Sequence, residues 1–136
     1  MKQVRLIMAA LLAIGLLACT SQTSTAATAT SKLKIVFQES PDSPKETWTL
    51  NCKPNSGTFP GIAMACKKLA SLKNPFAKPS ADQMCTEIYG GDQTAMITGT
   101  WLGKKVSRKY SRINGCEIDA WESIYPVLPH VQGVTQ

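Results

Sequence analysis

Five cysteines carry the most distinctive chemistry of this chain, because a thiol can form a disulfide, accept a lipid or bind a metal. They are Cys19, Cys52, Cys66, Cys85 and Cys116. Metal sites built from cysteine favour closely spaced ligand pairs or nearby histidines. No Cys-x-x-Cys pair occurs, and His130 is the only histidine. The sequence therefore predicts neither a bound metal nor another cofactor.

The fourth cysteine lies in the segment Met84-Cys85-Thr86-Glu87-Ile88-Tyr89-Gly90-Gly91. Threonine, isoleucine and tyrosine favour extended backbone, and the two glycines after them allow the chain to leave the extended conformation. If Cys85 is held in a disulfide, the segment becomes a stiff, exposed, extended loop. Such a loop can bind in the groove of another protein at a small entropic cost. Taken alone, the same residues are also typical of a strand end that runs into a turn.

The first 19 residues have the pattern of a bacterial lipoprotein export signal. Lys2 and Arg5 precede an apolar run that is too short for a membrane span. The run ends in Leu16-Leu17-Ala18-Cys19, which resembles the lipobox, where the cysteine receives a diacylglycerol. We predict a signal peptide over residues 1–18 and an extracytoplasmic protein, at the cell surface or in the periplasm, that is anchored to a bacterial membrane through Cys19. The alternative is an ordinary signal peptide cleaved within residues 20–29.

Residues 19–31 follow this signal and carry neither charge nor an apolar period, so we predict a flexible tether. Loss of residues 1–18 removes Lys2 and Arg5 and lowers the formal charge from +6 to +4, an ordinary value for a soluble domain. The other four cysteines of an exported chain predict two disulfides, for which three connectivities are possible.

The remaining pattern predicts an α+β domain over residues 32–126, followed by a loose tail over residues 127–136. Its antiparallel sheet of about five strands would pack against one or two helices. Stretches rich in β-formers or alternating in polarity predict strands at 33–37, 46–52, 95–101, 104–110 and 117–125. Residues 62–72 change to a helical period, and Pro75 ends that helix. Gly103 supplies the positive φ of a tight turn between the third and fourth strands.

A basic run consists of Lys104, Lys105, Arg108, Lys109 and Arg112. Such runs occur in nucleic-acid and membrane-binding proteins, but on a hairpin they are typical of a solvated strand face. No aromatic stacking pattern accompanies the run beyond one tyrosine, so we predict no nucleic-acid partner. We also predict that the protein is not an enzyme, because no triad, phosphate-binding loop or metal constellation is present in the sequence.

Several short motifs resemble those of the subtilisin inhibitor family of bacterial exported proteins, the Streptomyces subtilisin inhibitor type. The residues that match are Thr49-Leu50-Asn51-Cys52, Ser56-Gly57-Thr58-Phe59-Pro60, Ala65-Cys66-Lys67-Lys68-Leu69, Asp82-Gln83-Met84-Cys85, Ile88-Tyr89, Gly99-Thr100-Trp101-Leu102-Gly103-Lys104-Lys105-Val106 and Asn114-Gly115-Cys116-Glu117. Each motif is weak alone, but their order and spacing around four cysteines are specific. The match runs from about Leu33 to Ala120.

The resemblance implies the disulfides Cys52–Cys66 and Cys85–Cys116 and a protein that inhibits serine endopeptidases. Its reactive-site loop would consist of Met84, Cys85, Thr86, Glu87, Ile88 and Tyr89, with Glu87–Ile88 as the scissile bond. Asn114 matches the family residue that supports the loop from behind. The family also pairs through its sheet, which suggests a homodimer.

Three departures from the family pattern bear on the target. Thr86 replaces a usual proline, Gly90-Gly91 replace Asp-Pro, and Glu87 fills the position that enters the primary pocket of the protease. Because an unpaired carboxylate is costly to bury in an apolar pocket, we predict weak inhibition of chymotrypsin-like targets. A glutamate-specific protease, or a subtilisin-like one whose pocket carries a compensating group, is the expected partner. The alternative is a lipid-anchored extracytoplasmic binding protein on the same scaffold that has lost inhibition.

Overall fold

The computed structural model describes residues 29–131, which form a five-stranded sheet with two helices on one of its faces. The elements are β1 (Ser31–Gln38), β2 (Lys45–Cys52), β3 (Ser56–Gly57), α1 (Ile62–Ser71), β4 (Thr94–Trp101), β5 (Lys104–Tyr110) and α2 (Gly115–Ser123). The strands lie in the order β3-β2-β1-β4-β5, and all neighbours are antiparallel. The predicted α+β class with two disulfides is confirmed.

Several predictions from the sequence fall beyond these residues. The signal peptide, Cys19 and most of the tether lie outside the described range, as do residues 132–136. Within residues 29–131, no helix has the length and apolar character needed to cross a membrane.

The core lies between the sheet and the helices, and β1 is its central strand. Leu33, Ile35 and Phe37 alternate with solvent-facing residues, so one face of β1 is apolar and buried. Helix α1 packs against the neighbouring strand β2, to which it is joined by the Cys52–Cys66 disulfide, whose Cα atoms are 5.8 Å apart. The helical period predicted α1 correctly, because its apolar residues recur on one side.

The β4–β5 hairpin has the tight turn that the sequence predicts. Gly103 has a φ of 78°, and Leu102 before it also has a positive φ of 48°. Two successive residues with positive φ match the right-handed twist of the strands they join. The Gly103 N–H donates to the Thr30 carbonyl at 2.9 Å, which ties the turn to the residue before β1.

The predicted strand over residues 117–125 is wrong, because this segment contains helix α2. The Asn114 side chain accepts a hydrogen bond from the Glu117 N–H at 3.0 Å and so caps the first turn. Asn followed three residues later by Glu is a sequence signature of a helix start. A short alternation of apolar residues fits both the period of a strand and the period of a helix, and here the capping residues favour the helix.

The predicted loose tail is also wrong for its first residues. Val127 and Leu128 are completely buried in the core. The Trp121 indole N–H donates to the Pro129 carbonyl at 2.8 Å. Residues 127–131 therefore belong to the folded domain, because their apolar side chains complete the core beside α2.

Candidate functional site

An exposed segment without helix or strand connects the α1 region to β4. It includes the predicted loop residues, which the structure places at the surface. Met84 is 97% exposed, Tyr89 58% and Ile88 39%, and the Glu87 side chain is exposed as well. Large apolar side chains that project into solvent from one short loop mark a surface available to another molecule.

The first anchor of this loop lies just before Glu87. Cys85 is joined by a disulfide to Cys116 in the first turn of α2, with their Cα atoms 5.3 Å apart. The Gly115 N–H donates to the Thr86 carbonyl at 2.9 Å. A Cβ on Gly115 would lie 2.1 Å from the Thr86 hydroxyl oxygen, so a larger residue here would force the Thr86 side chain to move. Two successive loop residues are thereby fixed to the start of α2.

The second anchor lies three residues after Glu87, at Gly90. The Gly90 N–H donates to the Arg112 carbonyl at 2.7 Å, and the Arg112 Nε–H donates back to the Gly90 carbonyl at 3.0 Å. A Cβ on Gly90 would lie 2.8 Å from Cδ1 of Ile118, so the glycine also lets the loop approach α2 closely. The residues between the two anchors are held at both ends and have exposed side chains.

Arg112 is part of a buried charged network rather than of a solvated basic face. Its side chain is 2% exposed, and its guanidinium donates to Glu122 at 2.6 Å. The other carboxylate oxygen of Glu122 lies 2.8 Å from Nδ1 of His130. Partial burial raises the pKa of Glu122, but the hydrogen bonds from His130 and Arg112 outweigh it, so the net pKa is lowered. Glu122 therefore remains ionised and holds Arg112 beneath the loop.

Arg108 is the second exception to the predicted solvated face. Its side chain is 5% exposed, pairs with Glu117 at 3.0 Å and lies 4.5 Å from the centre of the Tyr110 ring. The inward-facing Val106 and Tyr110 alternate with exposed lysines along β5. Arg108 has the same parity as these buried residues, so the strand period of two indicates that it faces inward, whereas the basic run as a whole predicted a solvated face.

The Glu87 carboxylate has no hydrogen bond or ion pair with any residue in the range 29–131. Tyr89 is different, because its hydroxyl donates to Asp92, and this bond raises the pKa of the tyrosine. The exit of the loop is thus braced by its own side chains. The carboxylate at the centre of the loop is free to meet a partner.

Within residues 29–131, the hydrogen bond of the Asn114 side chain goes to helix α2 and not to the loop. Its carboxamide oxygen caps α2 by accepting from Glu117, and the direct bond to the loop comes from its neighbour Gly115. Asn114 therefore supports the loop indirectly, by fixing the helix end that carries Gly115 and Cys116.

The structure has both of the disulfides and the exposed segment that the sequence predicted, but the sequence did not predict the second anchor. Arg112, Glu122 and His130 are separated by 10 and 8 residues, and only folding brings them together. His130 thus has an acidic neighbour, which its place in the sequence did not suggest.

Within the described part of the chain, no group of three or more His, Cys, Asp or Glu residues could hold a metal ion.

Several known proteins are similar in sequence to this chain. A family model described as subtilisin inhibitor-like matches residues 20–114. Subtilisin inhibitor-like protein 4 of Streptomyces lavendulae is 35% identical over 82 residues, which is 57% of this chain and 68% of that protein. The subtilisin inhibitor of Streptomyces albogriseolus is 35% identical over 81 residues, 57% of this chain and 55% of that protein. Kexstatin-1 of Streptomyces platensis is 31% identical over 75 residues, 52% of this chain and 51% of that protein.

A solved structure is also similar to this chain. It is sermetstatin of Streptomyces caespitosus, crystallised in complex with subtilisin of Bacillus licheniformis. The TM-score is 0.44 at 23% sequence identity, with 71% of this chain and 98% of the other covered.

Proposed function

This chain belongs to the subtilisin inhibitor-like family, and from that membership we propose that it inhibits a serine endopeptidase with the loop at residues 84–89. The observation that carries the proposal is the pair of anchors on either side of the Glu87–Ile88 bond. The family assignment also agrees with the prediction that this chain is not an enzyme, because the relatives are named as inhibitors.

The two anchors provide a physical reason for tight binding with slow turnover. A flexible peptide loses conformational entropy when a protease cleft holds it extended, whereas an anchored loop has already lost most of it. The protease serine would attack the carbonyl carbon of Glu87, and the N–H of Ile88 would become the leaving amine. Because the Gly90–Arg112 pairing holds the chain beyond Ile88, that amine stays beside the acyl group. Resynthesis of the bond then competes with hydrolysis.

The side chain of Glu87 points to the class of protease. In the proposed complex it enters the primary pocket, where the carboxylate loses its water. Its exposure in the free protein means that no internal ion pair has to be broken first. A pocket with a cationic or strongly hydrogen-bonding wall would satisfy the carboxylate, and an apolar pocket would not. We therefore favour a glutamate-specific serine protease, or a subtilisin-like protease with such a wall.

We further propose that the inhibitor is exported and held at the membrane by a lipid on Cys19. The support is the Leu16-Leu17-Ala18-Cys19 sequence that ends the apolar run. Replacement of the thiol in Cys19→Ser should release the protein from the membrane fraction. Retention of the variant at the membrane through an uncleaved N-terminus would be recognised by its larger mass, and retention of a cleaved variant would contradict the lipid anchor.

The inhibition proposal is tested by changing the residue that enters the pocket. We would measure Ki values against subtilisin, trypsin and a glutamyl endopeptidase for the wild type, Glu87→Met and Glu87→Lys. The wild type should favour the glutamyl endopeptidase. The methionine variant should gain about a hundredfold against subtilisin, which corresponds to the low end of the cost of burying an unpaired polar group. The lysine variant should gain against trypsin.

The matched control is Glu46→Met, which replaces an exposed glutamate on β2 away from the loop and should leave every Ki unchanged. Prolonged incubation with protease should also produce a single cut at Glu87–Ile88, detected by mass spectrometry after reduction. If Glu87→Met gives no gain against subtilisin, the loop assignment is wrong. If neither the wild type nor the variants inhibit any of the three proteases, the binding-protein alternative is favoured.

A further inference from the structure

Asn114 and Gly115 form the only Asn-Gly pair in the sequence, and each residue serves the fold in a different way. Asn114 caps α2 through its carboxamide oxygen, which accepts a hydrogen bond from the Glu117 N–H at 3.0 Å. Gly115 approaches the loop so closely that a Cβ would lie 2.1 Å from the Thr86 hydroxyl oxygen. The two roles place a side-chain amide directly before a peptide nitrogen that no side chain shields.

This pair of residues can react internally when its backbone is free to rotate. The Gly115 nitrogen attacks Cγ of Asn114 and gives up its proton, a five-membered succinimide ring closes, and the carboxamide nitrogen leaves as ammonia. Water then opens the ring at either carbonyl. One product is an ordinary aspartate. The other is an isoaspartate, in which the main chain runs through the former side chain and is one methylene longer. The only co-reactant is water.

In the folded protein, three hydrogen bonds hold the groups that would react. The Gly115 N–H donates to the Thr86 carbonyl at 2.9 Å, and the Ile118 N–H donates to the Asn114 carbonyl at 3.0 Å. The third is the cap bond of the Asn114 carboxamide oxygen. Asn114 also has an extended backbone, with φ of −157° and ψ of 170°. Ring closure requires rotation about its Cα–C bond, so all three hydrogen bonds oppose the reaction.

We propose that Asn114–Gly115 is a deamidation site that the anchored loop protects, and that loss of the first anchor exposes the loop to irreversible release. Of the three hydrogen bonds, the one to Thr86 depends on the loop, and Thr86 is held there because Cys85 is joined to Cys116. An isoaspartate at position 114 lengthens the chain immediately before Gly115. The Gly115 N–H then no longer meets the Thr86 carbonyl while the disulfide is closed.

The reaction and its effect on the loop do not require protease inhibition, and only a resulting rise in Ki rests on the proposed function. The physical connection is that one short segment does two things. The start of α2 holds the loop in place, and the loop in turn holds the Gly115 N–H. A temporary opening of the first anchor is therefore converted into a permanent one when it lasts long enough for the ring to close.

The rate of the reaction is tested with two disulfide variants of the mature protein. Conversion of the amide is followed by its mass change and located at Asn114 by peptide mass spectrometry. In Cys85→Ser/Cys116→Ser, the conversion should be about fivefold faster than in the wild type, the factor that corresponds to one net hydrogen bond. The matched control Cys52→Ser/Cys66→Ser removes the other disulfide and should leave the rate unchanged. In denaturing urea, the conversion should be about a hundredfold faster than in the folded wild type, because all three hydrogen bonds are released.

The consequence of the reaction is tested by recovery after reduction. The wild type is reduced, held for increasing times and reoxidised, and the return of amide-exchange protection at Gly115 is measured together with Ki. Recovery should decline at the rate at which isoaspartate forms. In Asn114→Ser, recovery should not decline with holding time, because serine can cap the helix but cannot close the ring. The matched control Asn55→Ser replaces an asparagine between β2 and β3 and should decline like the wild type.

Three outcomes would overturn the proposal. Equal acceleration in the two disulfide variants would show that global unfolding, and not the first anchor, controls the reaction. Conversion of Asn114 with full return of protection at Gly115 would show that the product does not disturb the loop. A decline in Asn114→Ser equal to that of the wild type would assign the loss to another reaction. If protection at Gly115 declines as expected but no protease is inhibited even at the start, this inference stands and the proposed inhibition fails.

Discussion

The substitution Arg112→Met tests whether the buried arginine holds the loop in its extended form. Methionine keeps an unbranched stem but removes the Nε–H bond to the Gly90 carbonyl and the ion pair with Glu122. The backbone bond from the Gly90 N–H to the Arg112 carbonyl remains available. The substitution therefore removes one half of the second anchor and leaves the disulfide at the first anchor intact.

The loss of stability and of inhibition expected for Arg112→Met can be estimated from these contacts. Removal of one partner from a buried ion pair costs about 3–5 kcal/mol. Glu122 keeps 31% exposure and its contact with His130, so we expect the free energy of unfolding to fall by about 3 kcal/mol, the low end of that range. The bond to Gly90 accounts for about 1.5 kcal/mol of it, which corresponds to about a tenfold rise in Ki.

The chain offers a matched control in Arg108→Met. Arg108 is equally buried and is paired with Glu117, but its hydrogen bonds go to residues outside the loop. Its replacement should lower the free energy of unfolding by a similar amount while leaving Ki unchanged. The comparison thus separates support of the loop from general stability.

Three measurements decide the outcome. Urea unfolding gives the stabilities, Ki is measured against the protease that the wild type inhibits best, and amide exchange reports opening at Gly90. Exchange at Gly90 should accelerate in Arg112→Met and not in Arg108→Met. The reasoning is refuted if both variants weaken inhibition equally, or if Arg112→Met loses stability without any change in Ki or exchange.

Two further predictions concern covalent links and pH. Replacement of Cys85 and Cys116 by serine should lower the free energy of unfolding by about 3.7 kcal/mol and abolish inhibition. Replacement of Cys52 and Cys66 should lower it by about 3.0 kcal/mol and leave the folded protein able to inhibit. Urea unfolding and Ki measurements check this pair, and equal losses of inhibition would contradict it. The lowered pKa of Glu122 means that its contribution is present above pH 4.5, its ordinary value, and is lost as the pH falls through the lower folded value. Unfolding free energy should therefore fall more steeply below pH 4.5 in the wild type than in Glu122→Gln, and parallel curves would contradict the assignment.

Local sequence patterns determined much of this protein. A run rich in β-branched and aromatic residues identified the central strand, the helical period identified α1, and Gly103 marked the hairpin turn, because each depends on neighbours within a few residues. Motifs around four cysteines indicated the family, both disulfides and the loop around Glu87. The predicted solvated basic face is wrong for Arg108 and Arg112, which are buried, although the strand period of two places Arg108 on the same side as Tyr110.

The tertiary structure decided what those charges contact. The periodicity of a strand or helix in the sequence shows which way a side chain points, but not which element packs against it. The partnership of Arg112 with Glu122 depends on the position of α2 relative to the end of β5. The burial of Val127 depends equally on the space left beside α2, and no local pattern distinguishes it from a solvated tail residue. The second anchor of the loop therefore exists only in the folded protein, because its parts meet through packing rather than through proximity in the chain.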